Sequence, residues 1–302
     1  MKKTTLFKKL ILDREILVMP GAHDALSAKV IEQVGFKAVT MGGYAASAAS
    51  LAKPDVSLLT LTEYVNIARN IIQAVDIPLF VDGDTGHGNV TNVQRTVRVF
   101  ENAGVAGLFI EDQVFPKRCG HMEGKQIIPA LEMVAKIKAA VDARVDEDLV
   151  IMARTDAIAV SGIDEAIERG NRYAEAGADL IFVEAPTSKE EMMRINREIN
   201  APMNAIQIEG GKTPMLTVKE LEELGFNVVV YPNVTVYATA WALRQLWEGL
   251  KKNGSTKHWQ DHIIPFDEFN TLVGLDKIRE LESFYYRDLF ELPTYTDRPA
   301  RQ

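Results

Sequence analysis

Asp82 and Asp84 stand in the run Val-Asp-Gly-Asp-Thr-Gly-His-Gly, directly after an apolar stretch. Other acids occupy matching places: Glu111 with Asp112, Asp156 beside Arg154, and Glu184. If the apolar stretches are strands, residues two apart point to one face, so the carboxylates of Asp82 and Asp84 share a side. Several acids gathered at one mouth repel each other unless a cation neutralises them. A hard divalent ion with oxygen ligands does so, and Mg²⁺ typically takes one or two carboxylates while keeping waters and substrate oxygens. Asp82, Asp84 and Glu111 are therefore read together as a Mg²⁺ site, with Mn²⁺ as the substitute ion. The plainer reading of any one of them is a cap on the following helix. It accounts poorly for all three at once.

The second candidate is the loop Phe-Pro-Lys-Arg-Cys-Gly-His, residues 115–121, which sets the chain's single thiol, Cys119, beside Lys117, Arg118 and His121. Adjacent cations lower a thiol's pKa from about 8.5, so the expectation is a Cys119 able to exchange a proton near neutral pH. A lone cysteine is more usually a small buried residue, but a cationic, Gly-containing loop is an unusual place for one. Covalent catalysis by the thiol is a further option, although no Cys-His-Asn family pattern is visible.

Asp55 falls in an Ala/Ser/Gly-rich stretch read as a long loop, while Gly42 and Gly43 end the preceding apolar run and can offer backbone N–H groups to a carboxylate. A bland surface loop fits the same stretch. His87 lies in the Asp-rich segment, His258 and His262 read as exposed tail residues, and Trp241 and Trp247 read as helix packing.

These side chains need a scaffold that brings them to one place. Eight short apolar runs recur: Ile16 to Pro20, Lys37 to Met41, Pro78 to Asp82, Gly107 to Glu111, Leu149 to Arg154, Leu180 to Glu184, Met203 to Ile208 and Asn227 to Tyr231. Near-continuous apolar runs are the pattern of parallel strands buried on both faces. Helical spacing lies between them, as in Leu26/Val30/Val34, Leu61/Val65/Ala68/Ile72 and Val93/Val97/Phe100. Gly35, Gly104, Gly177 and Gly225 each sit where a left-handed helix C-cap belongs. Strand–helix alternation eight times over predicts an α/β fold, a (β/α)₈ TIM-type barrel, whose C-terminal strand ends carry the chemistry. A doubly wound open sheet is the alternative, weakened by the lack of Gly-x-Gly-x-x-Gly after the first strand. Residues 1–302 read as a single barrel domain, with 255–302 as a helical extension.

With 302 residues and a formal net charge of −8, the chain suits a small substrate better than a polyanion. Its field repels nucleic acid and anionic membranes. One cysteine excludes an intrachain disulfide, and the apolar run near the N-terminus is broken by Asp13, Arg14 and Glu15, so the expectation is a cytoplasmic protein.

From Pro20-Gly-Ala-His-Asp24 to the C-terminal helices, the sequence resembles the isocitrate lyase / phosphoenolpyruvate mutase superfamily, and Lys-Arg-Cys-Gly-His resembles its lyase branch. The resemblance implies a Mg²⁺-dependent cleavage of a carbon–carbon bond in a small carboxylate. It makes Asp82 the direct metal ligand, with Asp84 and Glu111 holding metal-bound waters and Asp55 nearby. Gly42, Gly43 and Tyr44 match the stretch that grips the substrate carboxylate together with Arg154. Cys119 matches the acid that protonates the leaving enolate, Lys117, Gly120 and His121 belong to its loop, and Glu184 matches the acid at the inner mouth. A homotetramer with an exchanged C-terminal helix is also implied, with Phe266, Phe269 and Leu272 as its contact face.

Departures from the family pattern narrow the substrate. Members that hold a third carboxylate use an Asn and an Arg where this chain has Ile206 and Tyr237. Leaving a buried carboxylate without its cation costs about 3–5 kcal/mol. The implied reaction is retro-Claisen or retro-aldol cleavage of a 2-alkylmalate, 2,3-dimethylmalate to pyruvate and propionate being the first choice. Methylisocitrate is the alternative. Oxaloacetate hydrolysis follows, disfavoured because Pro232 replaces a Ser, and then phosphonate P–C mutation. Gly42 itself replaces a family Ser in the carboxylate grip. A non-enzymatic barrel scaffold would leave Asp82, Glu111, Cys119 and Arg154 scattered.

Overall fold

The computed structural model describes residues 1–287. They fall into two compact units, Met1–Gln245 and Leu246 onward. The first holds α1 (Lys3–Ile11), β1 (Leu17–Pro20), α2 (Ala25–Val34), β2 (Val39–Met41), α3 (Gly43–Leu51), α4 (Leu61–Ala74), β3 (Leu79–Asp82), α5 (Val90–Ala103) and β4 (Gly107–Glu111). It continues with α6 (Ala130–Ala143), β5 (Val150–Thr155), α7 (Ile158–Ser161), α8 (Ile163–Glu175), β6 (Leu180–Val183), α9 (Lys189–Glu198), β7 (Met203–Ile206), α10 (Val218–Glu223) and β8 (Val228–Tyr231). Helix α11 (Val234–Asn253) crosses the boundary between the units, and α12 (Phe266–Leu272) and α13 (Leu275–Tyr286) follow in the second.

All eight strands pair in parallel in the order β1-β8-β7-β6-β5-β4-β3-β2. A bridge between Gly21 and Thr40 brings β1 back to β2, so the sheet closes into a nearly complete barrel. The expected (β/α)₈ fold is what forms. Strand parity divides the core. Outward residues such as Val39, Val81, Ile151 and Val229 pack under the helices. Inward residues such as Met19, Phe80, Phe109, Met152, Phe182 and Val230 fill the barrel. Helix α1 closes the bottom, with the Phe7 ring 5.6 Å from that of Phe80 and the Phe80 ring 6.2 Å from that of Phe109. The reactive end is therefore the opposite mouth.

Helix starts follow from local chemistry: Thr60, Asn89 and Thr217 each form a reciprocal capping box at the head of α4, α5 and α10. The four expected glycines all carry positive φ, between 93° at Gly104 and 105° at Gly177. Other expectations need correction. The stretch after β2 is not a loop but begins as α3, a run of Gly, Ala and Ser whose small side chains let it lie against the barrel. On α2 the Leu26/Val30/Val34 stripe faces outward, Val34 being 70% exposed, and Ala28 and Ile31 make the buried face. Trp241 and Trp247 are exposed as well, and Leu272 is buried rather than available as a contact.

Candidate active site

One cavity opens where the inward strand ends meet. Gly42, Gly43, Tyr44, Asp55, Asp82, Cys119, Gly120, His121, Arg154, Glu184, Ile206 and Pro232 all line it. Asp84, Glu111 and Lys117 lie behind that wall, each at most 2% exposed. Tyr237 does not line the cavity; its ring meets Tyr44 edge-on at 5.9 Å. Asp82, Glu111, Cys119 and Arg154 are thus drawn around one space, which a barrel serving only as scaffold would not require.

Asp82 ends β3, and its carboxylate accepts the Gly43 N–H at 2.9 Å and the Asp84 N–H at 2.8 Å. Asp84 reaches the cluster by a route that strand alternation does not describe. It lies past the strand in a left-handed turn with φ 50°, a conformation that a non-Gly residue holds at some cost and that gathers at functional sites. Tyr64, fully buried on α4, approaches Asp84 Oδ1 at 3.4 Å. Lys117 supplies the local cation: its Nζ is 2.8 and 2.7 Å from the two Asp55 oxygens and 3.1 Å from Asp84 Oδ1. Burial opposes that charge, but Asp84, Asp82, Glu111 and Asp55 together hold the lysine protonated well above its usual range. For Asp84, burial outweighs Lys117 and pushes the carboxyl upward.

Both carboxylate oxygens of Glu111 and Oδ2 of Asp84 are buried without a hydrogen-bond partner among the described residues. Burial drives the Glu111 carboxyl well above the usual range despite Arg154 and Lys117. Asp84 Oδ2 and Glu111 Oε1 are desolvated with neither a hydrogen bond nor an ion pair to Arg154, and with Asp82 they are the kind of oxygen donors that a hard divalent cation completes. No three His, Cys, Asp or Glu side chains among the described residues are arranged to hold a metal by themselves.

Arg154 is held at the other side of the mouth. Asp156 grips it bidentately, at 3.0 Å to Nε and 3.1 Å to Nη2, while Glu111 Oε2 lies 3.3 Å from Nε and Glu184 Oε2 3.4 Å from Nη1. The guanidinium also sits 5.9 and 5.3 Å from the Phe109 and Phe182 ring centroids. Burial works against Glu184, but Arg154 and His121 outweigh it and keep that carboxyl below its usual range.

The Cys119 loop differs from the sequence expectation in one decisive respect. Neither neighbouring cation attends the thiol: Lys117 is turned into the carboxylates, and Arg118 is exposed and donates to the Glu123 carbonyl. Burial, with Glu184 and Asp55 nearby, instead pushes the Cys119 thiol up to about 11. The group is a protonated acid, not a thiolate. Gly120 is required beside it, because a Cβ there would stand 2.3 Å from Glu184 and 2.4 Å from Arg154 Nη2.

Sequence reading missed three participants. Lys125 donates to Asp156 Oδ1 at 2.8 Å and also to the Gly120 carbonyl, tying the thiol loop to the Arg154 clamp. Asn204 and Asn233 line the cavity as well. Conversely, Asp112 leaves the mouth. It accepts from Thr155, Tyr173 and Arg169 on the outer face, as expected for the strand neighbour of inward-facing Glu111. His87 does not line the cavity; its ring meets that of Tyr64 edge-on at 6.0 Å.

With this geometry in place, comparison with known proteins is decisive. The family model described as phosphoenolpyruvate phosphomutase matches residues 7–251. The chain belongs to the phosphoenolpyruvate mutase / isocitrate lyase superfamily. It is 52% identical to 2,3-dimethylmalate lyase of Eubacterium barkeri, over 92% of this chain and 96% of that one. It is 47% identical to carboxyvinyl-carboxyphosphonate phosphorylmutase of Arabidopsis thaliana, over 93% of this chain and 84% of that one. A solved phosphonopyruvate hydrolase in complex with oxalate and Mg²⁺ superposes with a TM-score of 0.86 at 30% identity, covering 94% of this chain and 99% of that one. Members of this superfamily use a divalent metal. Among the described residues, no helix is long and apolar enough to cross a membrane.

Proposed function

We propose that this superfamily member is a Mg²⁺-dependent carbon–carbon lyase acting on 2-alkylmalates, with 2,3-dimethylmalate cleaved to pyruvate and propionate. The observation that carries the reading is the Cys119 thiol, the chain's only one, kept protonated over a cavity whose other wall holds Asp82 and Arg154. A P–C mutation has no use for a carbon acid there, whereas a lyase must protonate the carbanion it releases.

Asp82, Asp84 and Glu111 would hold the metal. When bound, Mg²⁺, or Mn²⁺ in its place, supplies positive charge at the α-hydroxy carboxylate and its keto product. The rest is work for the chain itself. The Tyr44 backbone N–H and the Arg154 guanidinium orient the carboxylate, while the Gly43 N–H holds Asp82 in place. The substrate hydroxyl proton passes to a base, the C2–C3 bond breaks, and its electron pair moves onto C3 and the distal carboxylate, leaving pyruvate. Cys119 gives its S–H proton to C3, completing propionate, and the thiolate is reprotonated before the next turnover. Glu184 and Lys125 hold the loop and Arg154 in register during these steps.

Ile206 lines the cavity where members that hold a third carboxylate place an Asn, and Tyr237 stands in place of their Arg, so the third carboxylate of methylisocitrate would lack that cation at a cost of roughly 3–5 kcal/mol. The physiological form proposed is a cytoplasmic homotetramer.

The test supplies Mg²⁺ and, separately, 2,3-dimethylmalate, 2-methylmalate, 2-methylisocitrate, oxaloacetate and phosphonopyruvate, and follows product release by coupled assay. Pyruvate release fastest from a 2-alkylmalate, abolished by EDTA, is the expected result. Preference for 2-methylisocitrate would overturn the substrate assignment alone. Turnover of phosphonopyruvate only would overturn the lyase reading.

A further inference from the structure

Asn204 is a polar residue in the wrong surroundings. Strand parity on β7 sends Met203 and Ala205 outward under the helices and Asn204 inward with Ile206. Its paired neighbours on either side are Phe182 of β6 and Val228 of β8, both apolar. It is 2% exposed, and neither its amide nitrogen nor its amide oxygen has a hydrogen-bond partner among the described residues. A buried amide that makes neither of its bonds is destabilising, and an apolar side chain of the same size would serve packing better. Such a group calls for a partner that the folded chain does not itself provide.

Its position says which partner. Asn204 lines the active-site cavity and also a second, very small cavity that Thr213 lines. Thr213 Oγ1 is buried and unpartnered too, so a single water between it and one end of the amide satisfies both. The other end then faces the substrate. In an eight-strand barrel β7 lies across from β3, so Ile206 at the end of β7 opposes Asp82, and Asn204 sits one inward layer deeper, toward the cavity floor that Phe80 also lines. In that deeper lining Asn204 offers an unpartnered side-chain N–H below the carboxylate grip at Arg154.

Resting on the reading above, we propose that Asn204 is a specificity-determining and catalytic residue whose side-chain N–H donates to the distal carboxylate of the 2-alkylmalate. That carboxylate is the group onto which the C2–C3 electron pair moves, so the bond strengthens as charge develops there. A neutral amide is well suited to this role, because it recognises one distal carboxylate without placing an uncompensated cation in an apolar barrel when the site is empty of substrate.

The test compares N204L with wild type, using two Mg²⁺-dependent ligands. Oxalate reaches only the carboxylate grip, and 2-methylmalate adds the distal group. The expected result is a fall of about 10²-fold in kcat/KM for the alkylmalate. Weaker 2-methylmalate binding by calorimetry and an oxalate inhibition constant within about twofold of wild type complete the expectation. N204A gives the same ratio if the leucine variant folds poorly. Unchanged alkylmalate kinetics with a raised melting temperature would make Asn204 a water-bound structural group and overturn the proposal. So would parallel loss of oxalate. Wild-type protein that neither binds nor turns over any alkylmalate would instead overturn the functional reading on which this one rests.

Discussion

At Cys119 the same residues carry opposite meanings in sequence and in space. Lys117 and Arg118 flank the thiol along the chain, yet the ion pair to Asp55 and the outward turn of Arg118 take both charges away from it. What remains is burial with Glu184 and Asp55 nearby, which holds the thiol protonated up to about 11. Only thiolate is alkylated, so iodoacetamide at pH 8 should modify native Cys119 about 10²-fold more slowly than free cysteine. The rate should climb with pH toward the raised value and recover fully in urea. Native reactivity equal to that of free cysteine would restore the cationic-loop account. Residues whose role depends on strand-end position were legible: Asp82, Arg154 and Glu184 stand where the apolar runs said they would. Asn204 was not, because one polar residue inside an apolar strand carries no periodic signal. Lys125 was hidden for a related reason, since only the fold brings it to Asp156 and the Gly120 carbonyl. Asp112 was legible in principle, as strand neighbours point to opposite faces.

Among the elements, the thiol loop and the segment after β7 are joined through His121. The Lys212 backbone N–H donates to His121 Nδ1 at 2.8 Å, which leaves the proton on Nε2, 3.1 Å from Glu184 Oε1. A Cβ at Gly211 would stand 2.8 Å from that Nδ1, so the close approach depends on glycine there. The loop is further tied by the Cys119 N–H to the Asp55 carbonyl at 3.2 Å and by Gln113 to the Arg118 carbonyl at 2.8 Å. Replacing Lys212 with proline removes the donor, whereas alanine keeps it. K212P should therefore expose Cys119 to alkylation roughly tenfold faster than K212A, the worth of about one hydrogen bond. Equal rates in the two variants would mean that His121 does not secure the loop. Nothing in the order of residues announced this pairing across the sequence. The elements themselves were largely readable from apolar runs and glycine C-caps. Segment 43–51 was not, because its Ala and Ser show no amphipathic stripe. The Leu26/Val30/Val34 spacing was legible as helix α2, but spacing alone does not say that this stripe faces outward while Ala28 and Ile31 are buried.

At the scale of the whole molecule, exposed apolar faces such as that of α2 bear on assembly. In the first unit Val34 and Trp241 are 70% and 63% exposed, and in the second Phe266 is 81% exposed, with Phe284, Tyr285 and Tyr286 also exposed. Large apolar and aromatic side chains at this density are unusual on a chain that works alone, and aromatics concentrate at subunit contacts. A net charge of −8 spread over 302 residues is too weak to keep such faces apart at physiological salt. Light scattering at micromolar concentration should therefore give a mass above that of one chain, 33.6 kDa, and four times it for the homotetramer proposed above. F266D should lower that mass, because a charge buried in an apolar contact goes unpaired. The far-ultraviolet spectrum should stay unchanged, since Phe266 is exposed within its own chain. A wild-type mass of 33.6 kDa at tens of micromolar would mean that these faces do not bind further copies of the chain.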